Sequence, residues 1–118
     1  MPSPSAATAA AAADPTVLAR MFRVLGDPTR LRIIQLLEGG ERSVGEIVDA
    51  VGGLQPRVST HLACLRHCGF VATERRGREV VYRLSIPRLG ELLARGAEVA
   101  APRAAHLATC DRIGPGWM

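Results

Sequence analysis

Cys64 and Cys68 stand four residues apart in the segment Gln55-Pro-Arg-Val-Ser-Thr-His-Leu-Ala-Cys64-Leu-Arg-His-Cys68-Gly69. On a helix that spacing puts both side chains on one face, with Cβ atoms about 5–6 Å apart. Two thiols so placed are donors for a soft metal ion, because thiolate ligands select such ions. The bland alternative is that each cysteine is a small buried hydrophobe without chemistry. A disulfide between them fits poorly, since near-parallel Cβ vectors on a regular helix miss the geometry it requires. The first half of the same segment is polar and reads as a DNA-recognition helix. A metal site and a DNA-reading surface on one helix would let binding at one be felt at the other.

On that helix Gln55, Arg57, Ser59, Thr60 and His61 are the groove-facing candidates. Arg57 has the planar fork that reads a guanine, and Gln55 the amide that pairs an adenine. For each, the alternative is a phosphate contact that carries no sequence information. At about 100° per residue, Arg57, His61, Cys64 and Cys68 share a strip beside the apolar stripe of Val58, Leu62 and Leu65. His61 is one turn from Cys64 but two from Cys68, a poor position for a third ligand, and is expected to face DNA or the core edge; His67 points away from the strip. Further on, Arg75-Arg-Gly-Arg78 is a basic hairpin tip, and Arg76 and Arg78 are its candidates for DNA. Arg30 and Arg32 are expected to serve structure or phosphate contact.

These residues need elements to hold them. Val17, Leu18, Met21, Phe22 and Leu25 recur at helical spacing, and Gly26 closes that helix. Asp27 caps the next, with Pro28 at its first position. Its apolar stripe is Leu31, Ile34 and Leu37. Ser43-Val-Gly-Glu46 is a capping box, followed by Val44, Ile47, Val48 and Val51 on a short third helix. Gly52-Gly53 turns the chain into the fourth helix, from about Gln55 to Cys68. The period then becomes strand-like over Phe70–Glu74 and Glu79–Leu84, with Gly77 in the turn. A last helix begins near Pro87, with Leu89, Leu92 and Leu93 apolar. The fold class expected is mainly α with a small β-hairpin: a winged helix-turn-helix, whose second paired helix enters the major groove. The expected organisation is a disordered leader over 1–13, one DNA-binding and dimerisation domain over 14–100, and a flexible tail over 101–118.

The 118 residues suffice for one domain, and domains of this size leave apolar surface that an oligomer can cover. The net charge is +4, and all fifteen basic side chains are arginine. That balance favours nucleic acid as partner. Three cysteines are an odd count, which suits a reduced compartment better than a disulfide framework. No apolar run approaches the roughly 20 residues of a membrane span, and 1–13 lacks the charged start of a secretory signal. A cytoplasmic protein with no membrane partner is expected. There is no Cys-x-x-Cys, no Gly-rich phosphate loop, and no nucleophile with a base beside it, so an enzyme is not expected.

Leu25-Gly-Asp-Pro-Thr-Arg-Leu-Arg-Ile33, Ser59-Thr-His-Leu-Ala-Cys-Leu-Arg66, Gly69-Phe-Val and Gly77-Arg-Glu-Val-Val-Tyr-Arg-Leu84 together resemble the ArsR/SmtB family of metal-responsive repressors. The resemblance covers roughly residues 15–100, and His61-Leu-Ala-Cys-Leu-Arg-His-Cys-Gly69 is most similar to the cadmium- and lead-sensing members. It implies a homodimer that binds double-stranded operator DNA when metal-free and leaves it when metal binds. It also implies a three-thiolate site of Cys64, Cys68 and Cys110; in the cadmium- and lead-sensing members the tail cysteine crosses from the other protomer, and here it ligates either in cis or from the partner. Cd(II) or Pb(II) is the effector implied, with Hg(II) or As(III) as alternatives. His106, four residues before Cys110, is a fourth ligand only if the tail turns helical, and is otherwise a solvated histidine. Other branches place Cys-x-Cys at the start of helix 3, where this chain reads Glu41-Arg-Ser-Val-Gly-Glu46, or His and Asp on the last helix, where Pro87–Ala101 offers only Glu91 and Glu98. Two rivals share the fold: a repressor that senses oxidant through the same cysteines, and a constitutive DNA-binding protein with inert ones.

Overall fold

The computed structural model describes residues 10, 11 and 13–113. The leader expected over 1–13 falls mainly outside them, as do residues 114–118. The chain divides after Ile86 into two compact units, and the domain expected over 14–100 spans that division.

In the first unit, α1 is Pro15–Leu25, capped by Asp14, whose carboxylate accepts from the Thr16 amide at 2.7 Å. α2 is Pro28–Glu38, capped by Asp27, which accepts from the Arg30 amide at 3.1 Å. Both begin with proline at the first position, where a missing N–H leaves no bond unmade. α2 packs against three elements and so buries a broader arc than the stripe expected of it: Ile33 is fully enclosed with Ile34 and Leu37, while Leu31 is only half-buried.

The capping box forms in both directions. The Glu46 amide donates to Ser43 Oγ at 3.2 Å, and the Ser43 amide to Glu46 Oε1 at 3.0 Å, starting α3, Val44–Val51. Just before it, β1 (Arg42–Ser43) joins the sheet, which the periodicity did not reveal. β2 (Val71–Arg76) and β3 (Glu79–Leu84) form the wing hairpin, with β1 on the outer side of β3. The wing is therefore three-stranded and antiparallel, in register Arg42↔Tyr82 and Ser43↔Val81, Thr73↔Tyr82 and Arg76↔Glu79. A strand of two residues is too short to leave an alternation in the sequence.

α4, Gln55–His67, follows Gly52 and Gly53, whose φ angles of 78° and 97° are left-handed and favour glycine. Val58, Leu62 and Leu65 are its buried stripe, as expected. Its end is a Schellman motif: the Gly69 amide donates to the Arg66 carbonyl and the Phe70 amide to the Leu65 carbonyl. Gly69, at φ 82°, supplies the left-handed residue, and Phe70 is turned into the core. The motif fixes Cys68 as the last residue before the chain reverses.

In the second unit, α5 is Leu89–Ala100, followed by a 3₁₀ turn at Ala101–Arg103 and by α6, Ala104–Thr109. The flexible tail expected from Ala101 is thus helical through Thr109. Its run of alanines favours helix, a signal that Pro102 and the glycines beyond it obscured.

Candidate metal centre and nucleic-acid interface

α4 carries the chemistry along its length. Its C-terminal half holds the two thiols: Cys64 is half-buried beside the core stripe and Cys68 is exposed at the helix end. Burial first, and then the neighbouring Cys64 thiol, push the Cys68 thiol up, against the pull of Arg30. Both sulfurs are free and lie on one face, the donor chemistry a soft ion requires. Among the described residues, no three His, Cys, Asp or Glu side chains gather into a group able to hold a metal ion. Cys110 belongs to the second unit, where it caps the C-terminus of α6 and its amide donates to the His106 carbonyl at 2.8 Å. His106 and Cys110 are therefore one helical turn apart, the condition on which a role for His106 rested.

His61 is a correction. It was expected in the groove, but the structure turns its ring inward, with the side chain only 13% exposed. Arg30 Nε donates to its Nδ1 at 3.2 Å, and Asp27 Oδ2 lies 3.7 Å from the same atom. Arg30 reaches further, donating from Nη1 to the Val24 carbonyl at 2.7 Å. Burial pushes the Asp27 carboxyl up, but the Arg30 amide, the His61 ring and the Thr29 amide outweigh it and hold it below the usual carboxylate value. One guanidinium thus joins the end of α1, the start of α2 and the middle of α4.

The remaining groove candidates, Gln55, Arg57, Ser59 and Thr60, are exposed on α4. Thr60 Oγ1 donates to the Pro56 carbonyl at 2.9 Å, which leaves its oxygen as an acceptor toward solvent. Arg57 and Arg32 line a hollow of about 310 Å³ with the Gly52-Gly53 turn. Two guanidiniums flanking bare backbone suit a phosphate.

On the wing, Arg76 is a second correction to the expected set. Its guanidinium is held by Glu41 and, at 3.0 Å, by Glu74, and both contacts push its already high pKa further up. Its side chain is still about half exposed (51%), so it stays on the wing surface while paired with carboxylates. Among the described residues Arg75 and Arg78 form no ion pair, and both are exposed. Sequence reading had no means of finding the Glu41 contact, because the partner lies 35 residues away on the approach to β1. Arg30 was expected to serve structure or phosphate contact, without its partners being foreseen. Its signal was a cation one turn into a capped helix, which many proteins share.

No helix among the described residues is long and apolar enough to cross a membrane. Residues 27–73 match the family model described as a bacterial regulatory protein of the arsR family. The chain is 43% identical to a probable mercury resistance operon repressor of Streptomyces lividans, across 96% of this chain and 94% of that one. Among solved structures, Rv0081 of Mycobacterium tuberculosis superposes with a TM-score of 0.71 at 34% identity, covering 82% of this chain and all of that one. The homodimeric winged helix-turn-helix domain Mb0332 of Mycobacterium bovis matches at TM-score 0.66 and 32% identity, over 86% and 91% of the two chains. The cadmium metal-sensor CmtR of Mycobacterium tuberculosis matches at 0.56 and 40% identity, over 65% and 80%.

Proposed function

Because the chain belongs to the arsR family of bacterial regulatory proteins, we propose that it is a homodimeric operator-binding repressor released from DNA by a soft thiophilic metal ion. The family places it among winged helix-turn-helix transcriptional repressors, and it is not an enzyme. The metal reading is carried by one observation: two free thiols, one turn apart, stand at the C-terminal end of the helix whose exposed N-terminal half presents Gln55, Arg57, Ser59 and Thr60.

In this reading Cys64 and Cys68 hold the ion and Cys110, from its own or the partner protomer, completes a three-sulfur site. Three thiolates suit Cd(II) or Pb(II). A second reading, Hg(II), is favoured by the Streptomyces relative, whose name is that of a mercury operon repressor. The bound ion supplies a positive centre that keeps its sulfurs deprotonated. The chain's own residues do the rest. Arg30 lines one cavity with Cys68 and bonds His61 of α4. A new charge at the sulfurs pulls on the guanidinium that seats the recognition helix against α2. Couplings between sites of about 1–3 kcal/mol are typical and weaken DNA binding by about 5–150-fold.

The dimer would bury the apolar face of α1, where Val17 and Phe22 are about half exposed (48% and 54%). Two copies of α4 then meet successive major-groove faces about 34–36 Å apart. Mb0332, a neighbour in fold, is homodimeric.

The test is fluorescence anisotropy of labelled upstream DNA with reduced protein, titrated separately with Cd(II), Pb(II), Hg(II), As(III) and Zn(II). Release at about one ion per protomer, lost in Cys64→Ser and blunted in Cys110→Ser, is the expected result. Tight DNA binding with no release by any ion would leave a repressor whose cysteines serve packing or redox sensing.

A further inference from the structure

A cavity of about 430 Å³ opens beside Cys68, and three arginines line it: Arg20 and Arg23 from α1, and Arg30 from α2. Met21 and Phe70 supply apolar walls. All of these residues lie in the first unit, ahead of the division at Ile86. A soft thiol facing three guanidiniums across an apolar floor is no ordinary surface hollow. Among the described residues neither Arg20 nor Arg23 is in an ion pair, so nothing in the unit neutralises the two.

The cavity borders the face proposed for dimerisation and shares Met21 with its apolar stripe. At about 100° per residue, Val17, Leu18, Met21 and Phe22 fall on one side of α1, and Arg20 and Arg23 on the other.

We infer that this cavity binds a small carboxylate-bearing thiol, which delivers the soft ion to Cys64 and Cys68 and stays on it as a third sulfur until Cys110 replaces it. The inference rests on the metal reading above and deepens it. Each part of such a ligand has its counterpart. Its sulfur meets the side of the cavity that Cys68 lines. Its carboxylate meets guanidinium forks, which bind carboxylates in bidentate fashion. Its short carbon chain meets Met21 and Phe70. The volume falls within the range of about 300–1,000 Å³ typical of small-molecule sites.

The exchange balances. A divalent ion carrying two thiolates is neutral. One thiolate leaves, takes the proton of one cysteine and departs as free thiol; the other cysteine's proton goes to solvent. The ion ends with two cysteine sulfurs and one retained thiolate, a complex of net charge −1 beside Arg30. No redox step is involved.

The experiment uses the full chain with Cys110→Ser, so that the tail sulfur does not compete, and reads the ultraviolet sulfur-to-cadmium charge-transfer band. Cd(II) is added first, then N-acetylcysteine or 2-mercaptoethanol, thiols of similar acidity that differ in the carboxylate. N-acetylcysteine is expected to add a third sulfur's worth of absorbance at about tenfold lower concentration. In the Arg20→Ala/Arg23→Ala background the two thiols become equal while the two-sulfur band remains. Equal potency of the two thiols with the arginines in place would overturn the inference and leave the metal reading standing. If Cd(II) gives no band that Cys64→Ser removes, the metal reading itself falls, and this inference with it.

Discussion

Arg30 donates from Nε to Nδ1 of His61 at 3.2 Å, tying the first turn of α2 to the middle of the recognition helix. The same guanidinium holds the Val24 carbonyl at 2.7 Å and lines the cavity that reaches Cys68. One cation that borders Cys68 therefore also bonds the middle of α4, whose seat on the first unit is otherwise the buried stripe of Val58, Leu62 and Leu65.

That bond has a measurable strength. In a double-mutant cycle of Arg30→Ala and His61→Ala, urea unfolding is expected to give a coupling of about 0.5–1.5 kcal/mol, the usual net worth of a hydrogen bond in a partly buried site. The metal response of DNA binding should fall in both single variants by more than their stability loss explains. Additive stabilities and an intact metal response would remove Arg30 from the coupling.

Metal affinity should depend on pH through Cys68. Burial first, and then the neighbouring Cys64 thiol, raise its pKa, so the sulfur stays protonated to higher pH than an ordinary cysteine. Metal binding must expel that proton, so apparent affinity rises with pH across the neutral range and levels off only above the raised pKa. Cys68 alone contributes about tenfold per pH unit below that point. Proton release measured by calorimetry in two buffers should drop by about one proton per ion in Cys68→Ser. An unchanged count would mean that Cys68 is not a ligand.

On the wing, Glu41 and Glu74 pair with Arg76, whereas Arg75 and Arg78 are exposed without an ion pair among the described residues. Arg78→Ala is expected to weaken operator binding and lower the slope of log affinity against log salt by about 1, one phosphate contact. Arg76→Ala should change the slope little. Glu41→Gln, which releases Arg76 and removes a negative charge, should tighten binding. Its stability loss should stay within about 1 kcal/mol, because the pair is roughly half exposed. Anisotropy at several salt concentrations separates these outcomes, and weaker binding by Glu41→Gln would contradict the assignment.

The apolar face of α1 offers a separate test of assembly. Phe22 is 54% exposed and Val17 48% in the isolated chain. Burying a charge there without a partner is strongly unfavourable, so Phe22→Glu should shift the protein from dimer to monomer in sedimentation. Affinity for a two-half-site operator should fall at least tenfold, while affinity for a single half-site barely changes. A dimer that survives Phe22→Glu would place the interface elsewhere.

The parts of the fold that were legible rest on interactions spanning a few residues. Asp14 and Asp27 cap their helices, Ser43 and Glu46 close a capping box, and Gly69 ends α4, because each bond joins residues two to five positions apart. The buried stripe of Val58, Leu62 and Leu65 was legible for the same reason: helical periodicity is local. So was the placing of Cys64 and Cys68 on one face. The tail helix was missed where a weak propensity signal competed with Pro102. β1 was missed because it exists only through pairing with β3, some 40 residues on.

By itself the sequence determined the order of the first four helices and the hairpin strands, their caps and the thiol pair, since these follow from contacts within one or two helical turns. Only the tertiary structure decided which partners His61 and Arg76 meet. His61 finds Arg30 across 31 residues, and Arg76 finds Glu41 across 35. A side chain on a helix flank or strand tip has the same local sequence whether it meets DNA or a neighbour. The packing of α4 on α2, and the approach of the chain before β1 to the wing, bring these partners within hydrogen-bonding distance, and that proximity sets the outcome.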